Sequence, residues 1–146
     1  MNLILTTSVE QKPEEVKAGF NEDLFLSLSP PFPKVELLRF DGSETGDIVS
    51  LQLNLLVTKQ KWTSEITDHG ETAAGSYFID EGIELPFPLK VWKHKHILES
   101  SGSGTNIVDN IEFSTKNVIL DVLIYPFMWL QFAYRKPIYR RIFGNN

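Results

Sequence analysis

The sequence predicts an α+β domain in which one antiparallel sheet of six or seven strands is covered by a long C-terminal helix, with two short helices after the first strand. Three observations carry this reading. Short segments that alternate apolar and polar residues recur along the chain, the period of half-buried strands. Two short segments with helical signals follow the first of these strands. The C-terminal segment then changes period, and Leu123, Phe127, Leu130, Tyr134, Ile138 and Ile142 step by three or four, as on one face of a helix.

The elements follow in order. Leu3–Val9 reads as a strand. In "QKPEEVKAGF", Pro13 suits a first helical turn, and Glu14 and Glu15 suit the positive N-terminal end of the helix dipole. A second short helix falls in "NEDLFLSLS", joined to the first near Gly19 and ending before Pro30. "SPPFPK" is an extended connector, because residues before proline avoid the helical region. Strands are then expected at Val35–Phe40, Ile48–Thr58, Lys61–Asp68, Ser76–Leu85, 90–99 and 106–114, the last two joined by the "SSGSG" turn. This is the spacing of an antiparallel meander. The final helix is expected from about Pro126, kinked or broken before Ile138, because Pro137 inside a helix removes a backbone hydrogen bond. Residues 118–143 are expected to be mainly helical and to pack across the face carrying Trp62, Phe78 and Trp92. Two short helices cannot cover the inner face of a twisted sheet, whereas a long terminal helix can, leaving a cavity beneath it.

Composition bounds the function. A chain of 146 residues reads as one domain spanning 1–146, and at this size about 68–70% of the unfolded surface is buried. With 42% hydrophobic and 23% charged residues it has the makings of a core rather than of a disordered chain. The net charge of −5 argues against nucleic acid as a partner, since phosphate binding needs a basic footprint. Arg135, Lys136, Arg140 and Arg141 all follow the last acidic residue, Asp121, so 1–134 hold ten Lys and Arg against nineteen acidic residues, a net −9. That basic end suits a helix C-terminus, and it is also the segment suited to touch an anionic membrane surface. The absence of cysteine excludes disulfides, zinc ribbons and a thiol nucleophile, and fits a cytoplasmic protein. "MNLILTTSVEQ" lacks the basic start of a signal peptide. The apolar run "VILDVLIYPFMWLQFAY" is interrupted by Asp121, Pro126 and Gln131, which predicts no transmembrane segment.

The chemistry concentrates in "VWKHKHILES". In a strand, Trp92, His94, His96 and Leu98 share one face, while Lys93, Lys95 and Glu99 take the other. The lysine face is the wet one, so two imidazoles and a Trp face the core. The neighbouring strand places Asp109 opposite or diagonal to His94 or His96, together with Ile107, Ile111 and Phe113. Asp80 shares the Phe78 face of the preceding strand, and Ser64 and Tyr134 add hydroxyls. Four readings compete. Two histidines and a carboxylate can hold zinc or iron, although the sequence fixes no third ligand. A histidine oriented by Asp109 can act as a general base. A buried histidine and carboxylate can simply satisfy one another. A cavity with aromatic walls and a few convergent polar groups binds a small molecule.

The last reading accounts best for polar and aromatic residues on one face. The expected cavity residues are Trp62, Phe78, Asp80, Trp92, His94, His96, Asp109, Phe113, Phe127, Leu130 and Tyr134. The expected partner is a small hydrophobic ligand with a polar group, and no metal or cofactor is expected. The alternatives are a cyclase- or isomerase-type enzyme using His94 or His96 with Asp109, and a protein-interaction module.

In the same order along the chain, "WTSEIT", "YFIDEG", "LPF", "VWKHKH", "GTNIVDNIEF" and "FAYRKPIYRRIF" resemble the signature of ligand-binding SRPBCC proteins, of the START/Bet v 1-like superfamily. The pattern falls on Trp62, Ile66, Phe78, Asp80, Pro86, Phe87, Trp92, His94, His96, Gly104, Thr105, Asp109, Ile111, Phe113, Phe132, Tyr134 and Arg135, and "LSPPF" resembles the family's proline-rich connector. The chain departs from the pattern where Leu85 replaces a glycine before Pro86, and where Pro137 interrupts the last helix. The resemblance implies a helix-grip fold, with a hydrophobic cavity between the sheet and the C-terminal helix. It implies lipid-like or polyketide-like ligands, or cyclase chemistry, and a bacterial origin, without choosing among them.

Overall fold

The computed structural model describes residues 1–144 and shows the helix-grip arrangement: a seven-stranded antiparallel sheet curled around helices. The order in the chain is β1 (Asn2–Val9), α1 (Pro13–Ala18), α2 (Glu22–Ser27), β2 (Lys34–Phe40), β3 (Ile48–Asn54), β4 (Lys59–Thr72), β5 (Gly75–Glu84), β6 (Val91–Ser101), β7 (Gly104–Ser114), α3 (Val118–Ala133) and α4 (Arg135–Ile142). Across the sheet the strands run β1-β7-β6-β5-β4-β3-β2, so every pair but one is a sequential hairpin. β1 closes the sheet against β7, with Leu5 opposite Asp109.

Local chemistry explains the boundaries. Pro13 occupies the first turn of α1 and the Glu15 carboxylate accepts from the Lys12 N–H at 3.1 Å. Asn21 caps α2 by accepting from Leu24 N–H at 3.0 Å. β3 is shorter than expected, and Leu55 to Thr58 form its turn into β4, leaving Val57 in solvent. β4 is longer and runs through His69 and Gly70. Its register shifts twice against β5, and β2 shifts once against β3. Such bulges bend a strand and increase its twist, which curls this half of the sheet over the helices. At the start of β7, a Cβ on Gly104 would collide with the Val9 carbonyl oxygen, so only glycine lets β1 approach there.

Residues 118–143 are mainly helical, as expected, although the helix does not wait for Pro126. It begins at Val118, eight residues before Pro126, because Asn117 caps it: the Asn117 side chain accepts from Ile119 N–H and Leu120 N–H at 3.0 and 3.3 Å. Asp121 in the first turn is buried and accepts from the Thr115 N–H and hydroxyl, at 2.6 and 2.7 Å, pinning that turn to the end of β7. Pro126 lies inside α3. The break falls at Tyr134, so Pro137 sits in the first turn of α4, where a missing N–H costs little.

The buried face of α3 is also not the expected stripe. Met128 and Phe132 are buried, whereas Leu123, Leu130 and Tyr134 are 69%, 60% and 42% exposed. Residues 118–134 are apolar on nearly every side, so periodicity alone cannot choose the inward face. Asp121 and its Thr115 bonds choose it.

The core forms two clusters on the inner face. One gathers Val9, Val16, Leu24, Leu98, Ile107, Ile138, Tyr139 and Phe143, sealing α1, α2 and α4 onto the sheet. The other gathers Leu3, Leu89, Trp92, Ile111, Phe113, Met128 and Phe132 beneath α3. Along β6 the inward series is Trp92, His94, His96, Leu98, and along β7 it is Ile107, Asp109, Ile111, Phe113. The polar residues therefore occupy the seam between the two apolar clusters. No helix among the described residues is long and apolar enough to cross a membrane.

Candidate functional site

The seam holds four side chains from three adjacent strands. In the ladder, Asp80 of β5 stands directly across from His94 of β6, and Asp109 of β7 stands directly across from His96. The hydrogen bonds run diagonally. His94 Nε2 meets Asp109 Oδ1 at 2.9 Å, and His96 Nε2 meets Asp80 Oδ2 at 3.0 Å. The ladder partners are farther apart, with His94 Nδ1 3.5 Å from Asp80 Oδ2 and His96 Nδ1 3.8 Å from Asp109 Oδ1. The two imidazoles lie against one another with centroids 3.6 Å apart and planes tilted by 33°. Residues two apart on a strand project the same way, and the diagonal bonds draw both rings into one stack.

Aromatic groups fix this stack. The Phe78 ring lies on His96 with centroids 4.2 Å apart and planes nearly parallel. Phe132 of α3 presents its edge to His94 at 5.2 Å. Trp92 Nε1 donates to Asp80 Oδ1 at 2.9 Å, so both oxygens of that carboxylate are engaged. Trp62 packs edge-on against Trp92 at 4.7 Å and donates its own N–H to Ser64 Oγ at 3.2 Å.

Burial and charge pull against each other here. Burial pushes the Asp80 carboxyl up, but the His96 hydrogen bond, the charges of both imidazoles and the Trp92 N–H outweigh it, and the group lies below the usual carboxylate range. Burial also opposes ionisation of Asp109. The His94 hydrogen bond and charge, with Arg135 and His96 behind them, again hold the carboxyl low. For His96, burial and the neighbouring charge of His94 prevail over Asp80 and Asp109, and its pKa falls to about 4. Two imidazolium rings stacked this closely would repel, so His96 is neutral at pH 7. Its Nε2 faces a carboxylate and so carries the proton, leaving Nδ1 as a lone pair that is buried with no hydrogen-bond partner among the described residues.

Asp80, His94 and His96, with Asp109 behind them, are the polar floor of a cavity of about 230 Å³ between the inner face of the sheet, α2 with its proline connector, and the α3–α4 junction. Val49, Leu51, Leu53, Trp62 and Phe127 contribute to the apolar walls. Of the residues expected from the sequence, Trp62, Phe78, Asp80, Trp92, His94, His96 and Phe127 line the cavity. Four do not. Asp109 lies beneath His94, 2% exposed, and is bonded to that ring. Phe113 is fully buried in the core cluster under α3, while Leu130 and Tyr134 point outward on the exposed face of α3 and at its end.

Sequence reasoning also missed residues that the structure brings in. Phe20, between α1 and α2, meets the His96 edge at 6.3 Å and stacks on Tyr139 at 6.0 Å. Arg135, part of the motif pattern but not among the expected cavity residues, lies just past the helix break, spreads its guanidinium over the Phe132 ring at 4.3 Å and lines the cavity. Burial and the nearby Asp109 raise the Tyr139 hydroxyl pKa, against the pull of Arg135. The spacing 128, 132, 135, 139 is a helical stripe in its own right. It was available in the sequence, but the equally apolar stripe beside it carried the same signal.

No family model matches the chain, and no curated protein matches it in sequence. Solved structures do. A Staphylococcus epidermidis protein aligns over 99% of this chain and 93% of its own, with a TM-score of 0.65 and 12% identity. Major latex-like protein 151 of Panax ginseng aligns over 92% of this chain and 97% of its own, with a TM-score of 0.58 and 14% identity. The Zhui aromatase/cyclase of a Streptomyces species aligns over 78% of this chain and 67% of its own, with a TM-score of 0.56 and 19% identity. At such identities the likeness is one of fold, and it is the START/Bet v 1-like fold that the motifs resemble.

Proposed function

We propose that this chain binds or carries a small apolar molecule with a polar group, lipid-like or polyketide-like, in the cavity between the sheet and the C-terminal helices. One observation carries the reading: Asp80, His94 and His96, backed by the buried Asp109, form the polar floor of a cavity whose other walls are largely aliphatic and aromatic. A protein that only needed a core would gain stability from apolar residues at these positions, since buried ion pairs seldom repay their desolvation. Small-molecule sites have this composition, apolar walls with a few placed polar groups. The fold shared with a latex-like protein and an aromatase/cyclase is compatible with it. The volume of about 230 Å³ lies below the usual range of about 300–1,000 Å³ for small-molecule sites. The ligand is therefore compact, or one end of it projects through the open side.

The His94–Asp109 pair supports a second reading, a cyclase- or isomerase-type enzyme. Asp109 fixes the tautomer of a histidine that faces the cavity, which is how a general base is oriented.

The test is native mass spectrometry of protein purified from its own host, beside a Leu51→Trp variant that fills the cavity wall. The reading expects a small apolar adduct on the wild type that is missing from the variant. Bare protein in both samples, together with no uptake of an apolar fluorescent probe, would sink it.

A further inference from the structure

The cavity floor carries an arrangement that ligand binding alone leaves unused. Asp80 Oδ2 lies 3.0 Å from His96 Nε2 and 3.5 Å from His94 Nδ1. These three atoms fall within 4.8 Å of one another. Donors at about 2.0–2.2 Å from a first-row divalent metal stand roughly 3.0–3.5 Å apart when they occupy neighbouring positions. Both separations are compatible with edges of a coordination shell, the shorter being a hydrogen bond in the metal-free protein.

The surroundings are those a metal site needs. Asp109 takes the other nitrogen of His94 at 2.9 Å, the carboxylate–histidine pairing that fixes the tautomer of a ligating imidazole and raises its basicity. With Nε2 of His94 taken by Asp109, its Nδ1 is the nitrogen left toward Asp80 Oδ2, 3.5 Å away, which is longer than a charge-assisted hydrogen bond. Trp92 holds the second oxygen of Asp80 at 2.9 Å, so the carboxylate is oriented and offers one donor.

We infer that Asp80, His94 and His96 form a site for one divalent transition metal, zinc or iron(II), held by Asp80 Oδ2, His94 Nδ1 and His96 Nε2. The metal replaces the Nε2–H bond to Asp80 of the metal-free protein, while the His96 proton moves to Nδ1, on the Asp109 side. Two histidines and one carboxylate are a donor set that both ions accept. Sequence alone supplied no third ligand, and no metal was expected. The β5–β6 register supplies it, by setting Asp80 across from His94. All three residues line the cavity, so the remaining coordination positions open onto it. This inference does not depend on the ligand proposal, since it needs only the metal.

The experiment uses the full chain stripped with a chelator and titrated with Co²⁺, whose visible absorption reports its coordination, followed by competition with Zn²⁺. The expected result is one equivalent bound and displaced by zinc, with a Zn²⁺-dependent rise in melting temperature. His94→Ala should abolish binding, and Asp109→Asn should weaken it by about 10–100-fold. His69→Ala removes the one remaining histidine, which is exposed and bonded to Thr45, and should change nothing. Should the buried variants fail to fold, X-ray absorption of the wild-type cobalt complex decides, because the site must show two imidazoles. Failure to bind one equivalent, binding lost with His69→Ala, or a coordination shell without two imidazoles would overturn the inference.

Discussion

Asp109 is the ladder partner of His96, yet its Oδ1 is bonded to Nε2 of His94, at 2.9 Å against 3.8 Å to the nearer nitrogen of His96. The same diagonal choice recurs between Asp80 and His96. Each carboxylate thereby reaches across the stack, and neither histidine can leave without stranding a buried acid. The predictions below rest on this crossing.

Replacing Asp109 with Asn keeps the shape but removes the charge that anchors His94. The expected cost is about 1–3 kcal/mol of stability, the range for a lost hydrogen bond to a charged buried group. Chemical denaturation measures it. If a reporter ligand is in hand, a binder loses affinity, whereas an enzyme loses turnover at saturation by about 100-fold or more. An unchanged midpoint together with unchanged binding would reduce the pair to packing.

Acid should destabilise the metal-free protein early. In the folded state His96 has a pKa of about 4, against about 6.5 when unfolded. Between those values the unfolded chain binds the extra proton, so stability falls as pH drops through that window, by up to about 1.4 kcal/mol per pH unit. Asp80 and Asp109 are lowered, so they act in the same sense at lower pH: their contribution is present above their unfolded pKa and lost as they protonate. Urea midpoints measured from pH 7 to pH 4 should decline steadily, and the decline should flatten in a His96→Gln variant. A midpoint constant over that range contradicts the assignment.

The inward face of α3 can be tested residue by residue. Phe132→Ala should cost about 3–5 kcal/mol, as large aromatic truncations in a core do. Leu130→Gln and Leu123→Gln, on the exposed side, should stay within about 0.5 kcal/mol. The reverse ranking would restore the stripe suggested by periodicity.

Most of the sheet was legible in the sequence, because alternation in strands such as "VWKHKHIL" names its own wet face. The lysines 93 and 95 are a positive signal for solvent, so the histidines had to turn inward. Asp80 and Asp109 followed once neighbouring strands were paired, although only the actual register shows which acid bonds which ring. The helix was not legible in this way. Residues 118–134 carry one charged group, and that group is buried, so no polar face existed to define the apolar one. Asn117 was a capping signal for the true start, but it is one residue against a proline at 126 that suggested a later one. Arg135 and Tyr139 entered the site only because the chain breaks at Tyr134 and resets the stripe.

The claim underlying all of this is that His96 is a neutral, buried imidazole bonded through Nε2 to Asp80, stacked on a His94 bonded to Asp109. Long-range proton–nitrogen NMR of the three imidazoles in metal-free protein, followed from pH 8 to pH 4, tests it most directly, with solvent-facing His69 as the internal reference. The account predicts that His96 keeps a protonated Nε2 and a lone-pair Nδ1 down to about pH 4, with slow exchange of its ring proton. If His96 instead takes up a proton near pH 6.5 with rapid ring-proton exchange, the quartet is not buried, and the charged floor of the cavity does not exist.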